Sequence, residues 1–230
     1  MNLAKPKYPQ HRFAKKGINP FELIVVCVFW GDKYPVEYVH KLRSMVARNM
    51  PTQRHRFVCL SDVDIPGVDC IPVFANSWRG WWQKVALFTP RLFPGGTRIL
   101  YLDLDIVITR PIDDLVQMWG DDPLIMIKNF KSGYGHAAHN SSVMMWVAGD
   151  PRVAAIHDLF SADVMDKLHG DQCWIWRVLQ DQITNWPLDL IQSYKCDCQN
   201  FVGVNTNIVV FHGDPKPHEC QVEWVKHHWK

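Results

Sequence analysis

The sequence predicts an α/β protein with a mostly parallel central sheet and a less regular C-terminal half. Residues 23–30 form an unbroken, largely β-branched apolar run, which is typical of a strand that is buried on both faces. Shorter runs of this kind follow, and the stretch after the first run carries apolar residues at helical spacing. Strands that alternate with helices in this way favour βαβ units, in which neighbouring strands are parallel.

Each further element has its own signal in the sequence. The first helix is predicted over residues 36–46, and Pro51, which cannot continue a helix, lies just past its end. Strands are also predicted over residues 56–60, 68–73, 98–102, 106–108, 124–127, 142–147 and 208–211, and helices over residues 81–88, 151–160 and 172–179.

The composition of the 230 residues bounds the class of protein. Hydrophobic residues make up 47% of the chain and charged residues 21%, which is enough apolar material for a complete core. We therefore expect residues 21–230 to form a single domain, and the basic residues 1–20 to form a flexible tail. A loop around Gly133 and Gly135 either closes over a ligand or is a plain surface loop.

Charge and hydropathy restrict the partners. The formal net charge of +2 is too small to indicate a nucleic-acid-binding protein. No apolar run approaches the ~20 residues that a membrane span needs, and no signal peptide is visible, so we expect a cytoplasmic protein. Membrane association through the basic tail would be at most peripheral. The oligomeric state is left open.

An acid pair, Asp103 and Asp105, is embedded in the apolar run of residues 99–108. Residues two apart in an extended chain point to one face, and two unpaired carboxylates there would be costly. A divalent ion that prefers oxygen ligands, Mn²⁺ or Mg²⁺, would compensate their charge. Asp62 and Asp64 have the same spacing but run into a proline-glycine loop, where aspartate is an ordinary turn residue.

A second polar group follows the last predicted strand. His212 stands at the strand end, where an imidazole can ligate a metal; a satisfied surface or core histidine is the alternative. Gly213 allows a ligand to approach the backbone closely, and Lys216 is suited to contact a phosphate. Because open parallel sheets bind ligands beyond the carboxyl ends of their strands, Asp32, after the first strand, belongs to the same predicted site.

These residues, with three further segments, resemble a known family. The three segments are Lys84 in an apolar helix, Asn140-Ser141-Ser142-Val143-Met144 and Gly170-Asp171-Gln172. In this order, over residues 23–219, the set resembles glycosyltransferases of the GT-A fold, of the glycogenin-like and galactosyltransferase-like retaining class. Two departures stand out. The family usually writes His-x-x-Gly-x-x-Lys-Pro, so Lys216 comes two residues early here, and Ser142 replaces the usual glycine.

The resemblance implies a role for each residue. It implies that Mn²⁺ or Mg²⁺ is bound by Asp103, Asp105 and His212. It implies diphosphate contacts from Lys84 and Lys216, and other donor contacts from Asp32, Tyr34, Asp62, Leu104, Asn140 and Gly213. It implies that Asp171 and Gln172, with Lys84, act at the reacting centre. Asp171 is also a candidate helix N-cap, and the two roles are compatible.

The activity implied by the resemblance is transfer of a sugar from a nucleotide-diphosphate donor, typically a UDP-sugar, to a hydroxyl of a glycan, lipid or protein, with retention. One alternative is a non-catalytic protein that binds a carbohydrate or nucleotide sugar. Another is a sugar nucleotidyltransferase, for which a glycine-rich phosphate loop is missing near the N-terminus. Trp78, Trp81 and Trp82 either pack in the core, as most tryptophans do, or stack on an acceptor sugar.

Overall fold

The computed structural model describes residues 23–73, 78–118, 122–130 and 138–230. The predicted N-terminal tail and the loop around Gly133 and Gly135 lie outside these ranges. Numbered along the chain, the strands of the described residues are β1 (Leu23–Phe29), β2 (His55–Ser61), β3 (Asp69–Pro72), β4 (Arg98–Leu102), β5 (Ile106–Ile108), β6 (Leu124–Lys128), β7 (His139–Val147), β8 (Ile183–Asn185), β9 (Ile191–Ser193) and β10 (Ile208–Val210). The α-helices are α1 (Glu37–Asn49), α2 (Pro151–Asp158), α3 (Ala162–Lys167), α4 (Asp171–Leu179), α5 (Tyr194–Asp197) and α6 (Glu223–His228).

Seven strands form the central sheet, in the order β3-β2-β1-β4-β7-β6-β8. β1 pairs in parallel with β2 on one side and with β4 on the other, so the strand order reverses direction at β1. β7 runs antiparallel to both of its neighbours, β4 and β6. The α/β fold with a mostly parallel sheet that the sequence predicts is therefore confirmed.

The side chains of β1 alternate between two cores, one on each face of the sheet. Leu23, Val25 and Cys27 pack with α1 and with strands of a smaller second sheet. Ile24 and Val26 pack with α2, α4 and the 3₁₀-helix Gly80–Phe88. Because both faces are covered, every one of these positions requires an apolar residue, which explains the unbroken run in the sequence.

The second sheet has three strands, in the order β5-β10-β9. β10 pairs antiparallel with β5 and parallel with β9. The strands predicted over residues 98–102 and 106–108 both form, but they belong to different sheets, because β4 ends at Leu102 in the large sheet and β5 joins the second one. The chain thus passes from one sheet to the other between Leu102 and Ile106, across the acid pair.

Several other elements differ from the prediction or were missed. Residues 81–88 form a 3₁₀-helix rather than an α-helix, and residues 82–88 are all buried. The missed elements, β8, β9, α3, α5 and α6, contain three to six residues each. Segments of that length are too short to show a period in the sequence. In the described part of the chain, no helix has the length and apolar character needed to cross a membrane.

Trp146 of β7 provides a test of the core beneath the antiparallel strand. It is 1% exposed, and its ring centroid lies 4.9 Å from that of Phe88. We expect Trp146→Ala to lower the free energy of unfolding by about 3–5 kcal/mol in urea denaturation, because the surrounding side chains relax only partly into the cavity that is left. Phe201→Ala is the control, since Phe201 is 72% exposed. Equal effects of the two variants would contradict this packing.

Candidate functional site

A cavity of about 1000 Å³ opens at the carboxyl ends of β1 and β4. This position agrees with the general location of ligand sites in open α/β sheets, next to the strand where the sheet order reverses. The cavity brings together most of the residues that the sequence singled out. Its lining includes Asp32, Tyr34, Lys84, Asp103, Leu104, Asp105, Asn140, Asp171, Gln172, His212 and Gly213.

The acid pair lies at the junction of the two sheets. The Asp103 N–H donates to the Ser142 carbonyl at 2.8 Å, which continues the pairing of β4 with β7. The Asp105 carbonyl accepts from the Phe211 N–H at 3.0 Å, which continues the pairing of β5 with β10. Leu104 and Asp105 form a turn between these strands, so the expectation of one extended segment is wrong. Both carboxylates nevertheless reach the same cavity.

Lys84 joins the first acid of the pair to a more distant carboxylate. Its Nζ lies 3.0 Å from Asp103 Oδ1 and 3.6 Å from Asp171 Oδ2, and it donates to Ser141 Oγ at 3.2 Å. The Tyr101 hydroxyl donates to the same Asp103 oxygen. Lys84 is 8% exposed and Asp171 4% exposed, so this cluster is shielded from bulk water. Shielding makes each charge depend on its partners.

The pKa values of this cluster follow from burial and pairing. Burial lowers the pKa of Lys84, but Asp103 and Asp171 outweigh it and hold that pKa above its ordinary value. Burial raises the pKa of Asp103, and Lys84 with the Tyr101 hydroxyl brings it below the ordinary range. For Asp171 burial prevails over Lys84 and the pKa is raised. Lys84 thus stabilises the ionised form of Asp103 more fully than that of Asp171.

A second lysine compensates the other acid of the pair. Lys216 Nζ lies 2.5 Å from Asp105 Oδ2 and also donates to the Phe211 carbonyl at 3.1 Å. The Tyr34 hydroxyl donates to the same Asp105 oxygen at 2.9 Å. Burial, together with the charge of Asp105, raises the pKa of Tyr34. Lys216 reaches the site through this contact, although it does not itself line the cavity.

His212 lies at the end of β10, as predicted, and lines the cavity. Its Nε2 is 2.7 Å from Ser193 Oγ, and its ring stacks on Phe130 with centroids 5.4 Å apart. Among the described residues, no group of three His, Cys, Asp or Glu side chains is already gathered around a point where a metal would sit. The donor set of two carboxylates and an imidazole suits Mn²⁺ in its chemistry. In this structure the two lysines supply the positive charge that the carboxylates require.

The remaining predicted residues have clear positions. Asp62 is exposed and accepts from the Gly31 N–H at 3.0 Å, which fixes the chain after β1 from outside the cavity lining. Asn140 accepts from the Ser142 N–H at 2.9 Å. Asp171 is the first residue of α4, and Gly170 is its N-cap, so the N-cap interpretation of Asp171 is wrong. The Asp171 side chain is therefore available to the cavity.

Lys195 is a cavity residue that sequence reasoning missed. It belongs to the four-residue helix α5, and its ammonium lies against Gly213, where an added Cβ would come within 2.7 Å of Nζ. Gly213 also has a φ of 69°, a conformation that favours glycine. Both observations explain the glycine directly after His212. No local pattern marks Lys195, because only the pairing of β9 with β10 brings it to Gly213.

Comparison of the whole fold with solved structures identifies its type. The chain aligns with LgtC, described as a galactosyltransferase in complex with donor and acceptor sugar analogs, at a TM-score of 0.63 and 15% identity, over 89% of this chain and 93% of that one. The structure of an active-site mutant of LgtC matches at a TM-score of 0.64 and 13% identity, with the same coverage. The fold is of the GT-A type.

A further neighbour is the glycosyltransferase GlyE of Streptococcus pneumoniae TIGR4. It matches at a TM-score of 0.64 and 15% identity, over 91% of this chain and 61% of GlyE. No family model matches the chain, and neither does any curated protein. The GT-A fold that the motifs imply is therefore confirmed. At a sequence identity of 13% to 15%, the similarity to these structures establishes the fold alone.

The buried cluster predicts a large effect of removing its lysine. We expect Lys84→Met to lower the free energy of unfolding by about 3–5 kcal/mol at pH 7, because it leaves Asp103 and Asp171 buried without their cation. Lys226→Met, which breaks an exposed pair with Glu223, should have little effect. Urea denaturation of both variants measures the difference.

The pH dependence of that effect has a defined sign. The pKa of Asp103 is lowered in the folded protein, so its ionised form contributes stability above the unfolded pKa of roughly 4. That contribution is lost as pH falls through the folded pKa. The difference between wild type and Lys84→Met should therefore shrink below about pH 4. A difference that stays constant from pH 7 to pH 3 would rule out this charge pairing.

Proposed function

We propose that this protein is a glycosyltransferase that moves a sugar from a nucleoside-diphosphate donor to an acceptor hydroxyl. The donor that we propose is a UDP-sugar. The observation that carries it is the cluster of Asp103, Asp105 and Asp171 with Lys84 and Lys216 at one cavity of a GT-A fold. Three carboxylates beside a ligand-sized cavity cost stability, and together with the lysines they supply the charges that transfer from a diphosphate donor requires.

The donor diphosphate is an anion, and the cavity offers cations to receive it. Lys195 lines the cavity, and its ammonium lies against Gly213 rather than beside a carboxylate of the described residues. Lys84 and Lys216 form ion pairs with carboxylates. They can therefore contact the diphosphate when another cation neutralises those carboxylates. Tyr34 and Asp32 follow β1 at the cavity wall and are assigned to the nucleoside.

Asp103, Asp105 and His212 are the residues assigned to a Mn²⁺ or Mg²⁺ ion. Their oxygen and nitrogen donors line the same cavity, which supports the assignment. When bound, such an ion would neutralise the negative charge that develops on the departing diphosphate. The Tyr34 hydroxyl, which donates to Asp105 Oδ2, helps to fix the orientation of that carboxylate.

Asp171 is assigned to the sugar. Its Oδ2 is buried and accepts no hydrogen bond from the described residues, although Lys84 lies 3.6 Å away. As the bond from the sugar to the diphosphate breaks, positive charge develops at the sugar, and this carboxylate stabilises it. The acceptor oxygen then bonds to the sugar on the face that the diphosphate leaves, and the acceptor proton passes to the departing diphosphate. Attack from that face retains the configuration of the sugar, which is the outcome that the resemblance to retaining glycosyltransferases implies.

The first test is release of nucleoside diphosphate from a panel of nucleotide sugars, with Mn²⁺ or with EDTA. We expect metal-dependent release from one donor, reduced about 100-fold or more in Asp103→Ala/Asp105→Ala, because the charge on the leaving group is then unsupported. Asp64→Ala, an exposed acid of the other Asp-x-Asp triplet, should behave as wild type.

The alternatives give different outcomes in the same assay. Metal-dependent nucleotide binding without release from any donor, even with added acceptors, would favour a non-catalytic nucleotide-sugar-binding protein. Formation of a nucleotide sugar from nucleoside triphosphate and sugar phosphate would favour a nucleotidyltransferase. Absence of both release and nucleotide binding would overturn the proposal.

Asp171→Asn separates a catalytic role from a structural one. Burial raises the pKa of Asp171, so its charged form costs stability at neutral pH, and the amide should leave the unfolding temperature unchanged or higher. Release of diphosphate should fall about 100-fold, because the developing positive charge loses its nearest carboxylate. Thermal unfolding and release are measured on the same preparation. Full activity in this variant would remove Asp171 from the mechanism.

A further inference from the structure

The three tryptophans before Lys84, namely Trp78, Trp81 and Trp82, lie in different environments. Trp82 is 4% exposed and belongs to the core. Trp78 packs edge-on against Phe160, with ring centroids 4.9 Å apart. Trp81 is 51% exposed and lines the cavity. Core packing therefore accounts for two of the three, and the exposed indole of Trp81 needs another explanation.

Trp81 lies next to the carboxylate assigned to the sugar. Its ring packs against Gly170, where an added Cβ would come within 3.3 Å of Trp81 Nε1. Gly170 directly precedes Asp171 and caps its helix. Because a side chain at position 170 would crowd the indole, the glycine allows the ring to lie close to the start of α4. The indole thus sits beside the reacting centre of the proposed function.

The surroundings of Trp81 indicate the chemistry of its ligand. An exposed indole offers a flat apolar face, which is costly to leave in water. The cavity lining also includes His169 and Gln172, which flank Gly170 and Asp171 in the chain and carry hydrogen-bonding side chains. A pyranose matches this combination, since it has an apolar C–H face and a rim of hydroxyls that bind polar side chains. A long acyl chain would instead leave the hydrogen-bonding groups of His169 and Gln172 without partners.

We infer that Trp81 is a stacking platform for a saccharide and that, under the proposed function on which this inference rests, the acceptor is a carbohydrate. The acceptor sugar lies with its apolar face on the indole and presents a hydroxyl towards the donor sugar beside Asp171. The hydroxyl rim of the acceptor binds His169 and Gln172. Trp81 then selects the acceptor, while the acid–lysine cluster holds the donor.

The test is direct binding of saccharides to the full chain. Methyl glucosides, methyl galactosides and their disaccharides are titrated by calorimetry and by saturation-transfer NMR, with decanol and a serine peptide as the lipid and protein surrogates. The variants are Trp81→Ala, Trp81→Phe and Trp176→Ala. Trp176 is the matched control, because it is 44% exposed and lies on α4 but does not line the cavity.

We expect at least one saccharide of the panel to bind wild type. Its affinity should fall roughly tenfold in Trp81→Ala, which removes an aromatic contact of ordinary strength. Trp81→Phe should recover most of that affinity, and Trp176→Ala should match wild type. Thermal unfolding confirms that each variant is folded. Saturation transfer should mark the C–H protons of the sugar in wild type and lose them in Trp81→Ala.

Three results would overturn the inference: no saccharide of the panel binds, Trp81→Ala binds as Trp176→Ala does, or decanol or the peptide binds in place of sugars. Release of nucleoside diphosphate by wild type, without saccharide, is measured separately. Trp81-dependent saccharide binding without any such release would overturn the proposed function and still support the platform. Release without saccharide binding would support the proposed function and overturn the platform.

Discussion

The compensation of buried carboxylates by two lysines is the constraint on which the site depends. Asp103 and Asp171 share Lys84, and Asp105 is held by Lys216. Carboxylates with so little access to water need a cation close by, so each lysine fixes the position of its partners as well as their charge. The cluster also ties distant parts of the chain together, from the 3₁₀-helix Gly80–Phe88 to the segment after β10.

The fold is organised so that this cluster forms at one place. β1 and β4 end at the cavity, and the acid pair carries the chain from the large sheet into the small one. A segment that pairs with both sheets is held from two sides, which limits the freedom of its two carboxylates. The charged side of the cavity is therefore anchored to both sheets. The exposed indole of Trp81 lies on another part of its wall, beside the start of α4.

The pKa directions give this arrangement a chemical meaning. Lys84 stabilises the charge of Asp103 more than that of Asp171. The pKa of Asp103 is therefore lowered, whereas burial raises the pKa of Asp171. A carboxylate whose charge is destabilised by burial is stabilised most when positive charge develops next to it. The same environment that makes Asp171 costly for folding thus suits it to a developing cation, a common relation between stability and function.

The sequence by itself determined the strands of the central sheet other than the three-residue β8, because long apolar or β-branched runs mark buried strands. It also marked the acid pair, because charges are rare inside such a run. It also supplied Lys84, Asp171 and His212 through their order along the chain. Only the tertiary structure decided that Leu102 and Ile106 belong to different sheets, that Lys195 meets Gly213, and that Trp81 rather than Trp82 faces the cavity. These facts depend on contacts between residues far apart in sequence, and no local period or motif records them.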